Sequence, residues 1–288
     1  MSFRKLSEIV EMADRNNKEF WEPVIEEDMK ERNVSFAESF ETMRQMLHAM
    51  KEADRGYDPL LRSASKISGG DGAKMEEFRK NGTSLAGDFI LLVMEKAIKM
   101  GESNACMKRI VAAPTAGSCG VIPAVLLSYE EEKKVPEERL VEALFVAAGI
   151  GEVLANSASI SGAEGGCQAE IGSASAMAAG AVTYLEGGDS QSIVHAAALA
   201  LKNMLGLTCD PVGGLVEVPC IKRNVSGAVN AITSSQLALA GIKSAIEPDE
   251  VIDSMRRIGK LIPECLKETA KEGLAITPSA LRAIKISS

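Results

Sequence analysis

Aromatic residues are scarce in this chain. Phe, Tyr and Trp make up 4 % of its 288 positions, with a single tryptophan. The core must therefore be assembled from Ala, Leu, Ile, Val and Met, side chains that suit closely packed helices. Positive charge is in deficit: 32 basic residues face 40 acidic ones, a net charge of −8, which argues against a nucleic-acid or anionic-membrane partner. No apolar stretch reads as the roughly 20 residues of a membrane helix, and the N-terminal MSFRKLSEIVEMADRNNKEF is charged too early and too often for a signal peptide. The expectation is a cytoplasmic chain whose thiols stay reduced. Its six cysteines, Cys106, Cys119, Cys167, Cys209, Cys220 and Cys265, are then not disulfide pairs. None forms a C-x-x-C pair, which removes zinc-ribbon and ferredoxin spacings. Strand alternation with hairpin turns is missing. GGDGAK does not satisfy the phosphate-loop pattern, and neither a fixed-period repeat nor a low-complexity linker is present.

What is there reads as helix after helix. The composition, 46 % hydrophobic and 25 % charged, is globular, and the length allows one large domain or two ordinary ones. KEFWEPVIEEDMKERN and FAESFETMRQMLHAMKEADRG carry apolar residues at three- and four-residue spacing. SLAGDFILLVMEKAIKMG is expected to close at Gly101. Pro136 is expected in the first turn of PEERLVEALFVAAGIGEVLANSA, with Glu137 and Glu138 complementing the dipole. Asp189 should cap DSQSIVHAAALALKNMLG, and Gly206 should follow its end. The fold class expected is all-α, a single helical domain over 1–288 in which residues 1–60 form a peripheral layer.

Segments rich in Gly, Pro, Ser and Thr interrupt the helices: KISGGDG (66–72), VAAPTAGSCGVIP (111–123), ISGAEGGCQ (160–168) and LTCDPVGGLVEVPCIKRN (207–224). Loops held by rigid helices are where chemistry concentrates, and these are expected to meet at one pocket. Cys167, Cys209 and Cys220 lie in them, each beside Gly or Pro. Each is a metal ligand or a buried thiol acting as a small hydrophobe. Cys265 reads as a core residue of an amphipathic helix. Three thiolates rather than four would leave a metal position free for substrate, as a Lewis acid requires.

APTAGSCG (113–120), NSASISGAEGGCQAEIG (156–172), CDPVGGLVEVPCIKRN (209–224) and GLAI (273–276) resemble the α subunit of the iron–sulfur-dependent L-serine dehydratases. The resemblance runs from about Ala64 to Ile276, with the motifs in order. It implies a 4Fe–4S cluster on Cys167, Cys209 and Cys220 with one iron open to the serine hydroxyl, and elimination to pyruvate and ammonia. Catalytic roles are implied for Lys66, Thr115 and Ser161, and substrate contacts for Asn104, Ser159 and Arg223. Lys66 binds the substrate carboxylate, serves as a desolvated base, or is a solvated loop residue. Asn104, Thr115, Ser159 and Ser161 donate hydrogen bonds or make turns. Arg223 pairs with Glu164 or Glu170, or meets substrate. Neither His48 nor His195 lies in a matching motif. The resemblance is to the two-chain layout, so a β subunit is implied, with a histidine base from that other part. Two other classes are weighed: a pyridoxal-phosphate dehydratase, which SASKISGG superficially suggests but which needs strands, and a non-catalytic helical subunit stabilised by a metal.

Overall fold

The computed structural model describes residues 3–82 and 84–287. Among the described residues there are helices and turns but no strand; a lone parallel bridge joins Cys209 to Lys267. The all-α expectation holds. In chain order the helices are α1 (Leu6–Asn16), α2 (Trp21–Arg32), α3 (Phe36–Arg55), α4 (Asp71–Asn81), α5 (Gly87–Ala105), α6 (Val121–Lys133), α7 (Glu137–Ser157), α8 (Gly162–Gly165), α9 (Ser173–Leu185), α10 (Ser190–Lys202), α11 (Cys220–Leu239), α12 (Pro248–Leu261) and α13 (Pro278–Ser287).

The centre is α9, SASAMAAGAVTYL, with every residue but the last buried. It packs against α6, α7, α10 and α11. Small side chains are what let five helices meet around one axis. A Cβ at Gly180 would stand 2.2 Å from Ile150 Cδ1 of α7, and one at Gly227 of α11 would stand 2.9 Å from Ile171 Cγ2. Two hydroxyls link the helices at this axis: Ser175 Oγ donates to the Gly227 carbonyl at 2.8 Å, and Thr183 Oγ1 to Ser235 Oγ at 2.9 Å. Four of the aromatic rings gather in one place, where Trp21 of α2 and Phe36 and Phe40 of α3 meet one another and Phe145 of α7 packs on Trp21 and Phe40. Through them and Val24, which leaves no room for a Cβ at Gly149, the N-terminal helices lie on α7.

Several boundaries follow their signals. Ser35 opens α3 with a capping box, its hydroxyl accepting from Glu38 N while Glu38 Oε2 accepts from Ser35 N at 2.8 Å. Asp189 caps α10 by accepting from Ser192 N at 2.8 Å, and Gly206, at φ +83°, follows its end. Others depart from expectation. α5 passes through Gly101 to Ala105, because that glycine admits Ile221 of α11, which a Cβ would meet at 3.2 Å. Pro136 stands one position ahead of the first turn, as the N-cap residue of α7. By length and composition α7 does reach what a membrane crossing needs, but most of its apolar window is buried within the fold, as a core helix requires. Cys265 is not in an amphipathic helix: α12 stops at Leu261, and Cys265 lies half-buried in a short turn, Glu264–Leu266, behind Pro263.

Candidate functional site

Each interrupting segment is built around a close backbone approach. Gly166 follows the end of α8, and its φ of +76° and contact with the Leu207 carbonyl, 2.9 Å from where a Cβ would stand, require glycine. Cys167 follows, and a π-helical turn, Gln168–Gly172, leads into α9. Gln168 N donates to the Leu207 carbonyl at 3.0 Å, its Oε1 accepts from Gly206 N at 2.9 Å and its Nε2 donates to the Met255 carbonyl at 2.9 Å. One buried amide side chain thus seats the Cys167 turn on the 206–207 backbone and on α12. Cys209 N donates to the Leu266 carbonyl, and Glu268 N donates to the Cys209 carbonyl, so backbone pairing on both sides fixes Cys209. Cys220 is the first residue of α11.

All three thiols are buried, between 2 % and 7 % exposed. Burial pushes the Cys167 thiol up to about 11 and the Cys220 thiol to about 12, and moves Cys209 in the same direction. After burial, the next influence on both Cys209 and Cys220 is the Cys167 thiol, and Cys209 feels Cys220 as well. The three are therefore electrostatic neighbours. Among the described residues, no three Cys, His, Asp or Glu side chains stand close enough to grip a single metal ion.

Glu170 occupies the space between these segments. It takes a hydrogen bond from Thr115, and Cys209 Sγ lies 3.9 Å from its Oε2. A Cβ at Gly162 would stand 2.8 Å from the same oxygen, and one at Gly117 would stand 3.2 Å from its Oε1. Two glycines from two separate motifs therefore make room for one carboxyl, and burial moves its pKa upward. Asn224, buried in α11, closes the arrangement: its Oδ1 accepts from Gly120 N at 2.8 Å, and its Nδ2 donates to the carbonyls of Gly117 and Cys220.

The remaining predicted residues divide. Thr115 opens the turn Ala116–Ser118 and reaches Glu170. Asn104 belongs to the last turn of α5 rather than to a loop, and its amide donates to the Ala116 carbonyl at 3.2 Å. Ser161 is the N-cap residue of α8. Ser159 donates to Glu164 Oε2 at 2.9 Å and accepts from Ser161 N at 3.1 Å. It lines a cleft of about 90 Å³ with Glu164, Gln168 and Met255, which none of the three cysteines lines. Arg223 pairs with neither Glu164 nor Glu170. Its Nη2 donates to Asp210 Oδ1 at 3.0 Å and its Nη1 to the Thr208 carbonyl at 2.7 Å, and it also hydrogen-bonds Cys167. Lys66 is exposed, with φ +62°, so the desolvation that a lysine base needs is absent here.

Neither histidine enters the site. His48 bonds Glu137 at 3.0 Å. His195 is buried in α10 among Lys243, Glu247, Lys202 and Asp189. Reasoning from sequence missed Glu170 as a centre, Asp210, Asn224 and Glu217. For Glu217 a signal exists: a lone acid inside the apolar run LVEVP is a buried carboxylate with fixed partners.

The family model described as "Serine dehydratase alpha chain" matches residues 15–275. The chain is 44 % identical over 278 residues to the probable L-serine dehydratase, alpha chain, of Bacillus subtilis (strain 168), covering 96 % of this chain and 92 % of that one. It is 38 % identical over 271 residues to the L-serine dehydratase, alpha chain, of Peptoniphilus asaccharolyticus, covering 93 % and 92 %. Against the L-serine dehydratase of Helicobacter pylori (strain ATCC 700392 / 26695) it is 37 % identical over 287 residues, covering 96 % of this chain and 62 % of the longer relative.

Proposed function

Since the chain belongs to the serine dehydratase alpha-chain family, we propose that it is the α subunit of an L-serine dehydratase, releasing pyruvate and ammonia from L-serine. We further propose that Cys167, Cys209 and Cys220 hold a 4Fe–4S cluster and that a β subunit completes the enzyme in the cytoplasm. The observation that carries this reading is three buried thiols on three separate segments that side chains tie together: Gln168 joins the Cys167 turn to Gly206, Glu170 lies 3.9 Å from Cys209 Sγ, and Asn224 joins Gly117 to Cys220.

The donor set fits the group. Thiolates are the ligands of iron–sulfur clusters. Cys220 starts α11 and Cys167 precedes the helical run into α9, so two helix N-termini and the Arg223 guanidinium favour negative charge where burial opposes it.

When bound, the cluster supplies a Lewis acid that eases departure of the substrate hydroxyl. The chain's own residues bind and orient. Lys66 offers a point charge to the substrate carboxylate, and Thr115 and Ser161, which open the turns at 116–118 and 162–165, are assigned hydrogen bonds to substrate. Asn104 and Ser159 shape the site through Ala116 and Glu164, and Arg223 balances Cys167. The α-proton needs a base within hydrogen-bond reach. His48, bonded to Glu137, lies on α3 and His195 lies on α10, both outside the cysteine segments, so the base is assigned to the partner. A pyridoxal-phosphate enzyme is disfavoured because its fold needs strands, and none is described here.

The test is anaerobic purification followed by an absorption spectrum, with pyruvate formation from L-serine measured with and without the partner chain. A broad sulfide-to-iron shoulder, and turnover only with the partner, is the result expected. A pyridoxal band, or full turnover by this chain alone, overturns the reading.

A further inference from the structure

The exposed lysine loop hangs from a carboxylate that belongs to the cysteine segment. Glu217 is 5 % exposed, three residues before Cys220, and its carbonyl accepts from Ile221 N at 3.0 Å as α11 begins. Its Oε2 accepts from Ser63 Oγ at 2.7 Å, and both of its oxygens lie 2.9 Å from Ser65 Oγ. Each of those hydroxyls also accepts a backbone amide of the loop: Ser65 Oγ takes Ile67 N at 3.1 Å, and Ser63 Oγ takes Ser68 N at 3.3 Å. Backbone bonds close the ring, Lys66 N to the Ser63 carbonyl at 2.9 Å and Ser63 N to the Ser68 carbonyl at 3.0 Å. Lys66 stands at the apex of this ring in the left-handed region, a conformation that a non-glycine residue keeps only when its surroundings over-determine it.

We infer that Glu217 is the positioning residue of the Lys66 loop, fixing the lysine in register with Cys220 so that the substrate carboxylate is held at a set distance from the cysteine site. A buried carboxylate is tolerated only when hydrogen-bonded. This one spends its acceptors on the loop that carries the cation, not on the fold's helical body. The inference rests on the reading of Lys66 as the carboxylate ligand.

Glu217→Gln keeps the size of the side chain but replaces one acceptor with a donor. Ser65→Ala removes the loop's side of the same contact and leaves every residue of the cysteine segment unchanged. In the anaerobically purified holoenzyme, Lys66→Ala raises KM for L-serine by about ten-fold, the worth of one charge-assisted contact. Glu217→Gln and Ser65→Ala raise KM in the same direction with kcat within about two-fold and iron per chain unchanged. The Lys66→Ala/Glu217→Gln double variant stays within about two-fold of Lys66→Ala, because a misplaced lysine and an absent one are the same loss. In the metal-free chain, Glu217→Gln speeds amide exchange at Ile67 and Ser68. KM raised by Lys66→Ala but not by Glu217→Gln overturns the role of Glu217, as do multiplying effects in the double variant or iron lost from Glu217→Gln. KM unmoved by Lys66→Ala overturns the assignment of Lys66 itself, whatever the exchange data show.

Discussion

Removing Asp210 should cost more than any other single change at the candidate site outside the cysteines, and the structure says how much. Asp210 Oδ1 accepts from Arg223 Nη2 at 3.0 Å, and its Oδ2 accepts from Leu274 N at 2.9 Å. The two side chains are 7 % and 16 % exposed. In Asp210→Ala the guanidinium stays buried beside Cys167 with only the Thr208 carbonyl as its oxygen partner. Breaking one side of a buried pair costs roughly 3–5 kcal/mol. The lower end applies because Arg223 keeps that carbonyl and some solvent, and the orphaned Leu274 amide adds up to about 1 kcal/mol. The total is about 3–4 kcal/mol, which for a chain of this size lowers Tm by roughly 6–8 °C. The assay is thermal unfolding of the metal-free chain followed by far-ultraviolet circular dichroism. Asp210→Ala/Arg223→Met serves as control: it removes both charges at similar volume and should recover at least half of the loss. A single variant within about 2 °C of the parent, or a double variant that falls as far as the single, would refute the claim that an unpaired buried charge is the cost.

Cys167→Ser, Cys209→Ser and Cys220→Ser should each lose bound iron and activity, whereas Cys265→Ala retains both; iron analysis showing equal content in all four sinks the ligand set. Glu102 is buried in α5 and accepts from Asp71 N at 2.9 Å, Gly72 N at 3.1 Å and Tyr57 Oη at 2.6 Å, so it caps α4 from a neighbouring helix. Glu102→Gln should cost about 1–2 kcal/mol, read as faster amide exchange at Asp71 and Gly72, and unchanged exchange there would remove the cap from the account. Burial, reinforced by Lys243, lowers the pKa of His195 from its ordinary 6.5. As pH falls through 6.5 the unfolded chain gains a proton at this residue that the folded chain resists, so stability drops. The fall in urea midpoint between pH 7.5 and 5.5 should be smaller in His195→Leu, and equal falls would show that other groups set it.

Local signals were legible where a residue acts on its own helix. Asp189 caps α10 as its sequence position says, because a capping side chain meets a backbone amide three residues on. Signals failed where the partner lies far along the chain. Gly101 looks like a helix end but serves Ile221, 120 positions away in sequence and packed against it. Pro263 was read through, so Cys265 was placed in a helix that had already stopped.

The same distinction governs the site. The cysteines were legible because Gly and Pro beside a thiol leave a trace in the sequence itself. Glu170 was not, since nothing local marks it: its meaning comes from Thr115, Gly117, Gly162 and Cys209, four residues from three other segments. For the same reason the sequence leaves Arg223 open between Glu164, Glu170 and substrate, and the acid it pairs with is none of those. Asp210 follows Cys209 directly, and only the fold shows that α11 turns Arg223 back onto it while the Gly273–Ile276 turn donates from the other side. Gly273, at φ +69°, completes the logic, because a Cβ there would stand 2.6 Å from Asp210 Oδ2. Glycines at 117, 162 and 273 thus mark not flexible loops but the footprints of two carboxyls, and each carboxyl touches a residue that bears or borders a cysteine. In this chain, a glycine in a motif is best read by asking which distant side chain needs its missing Cβ.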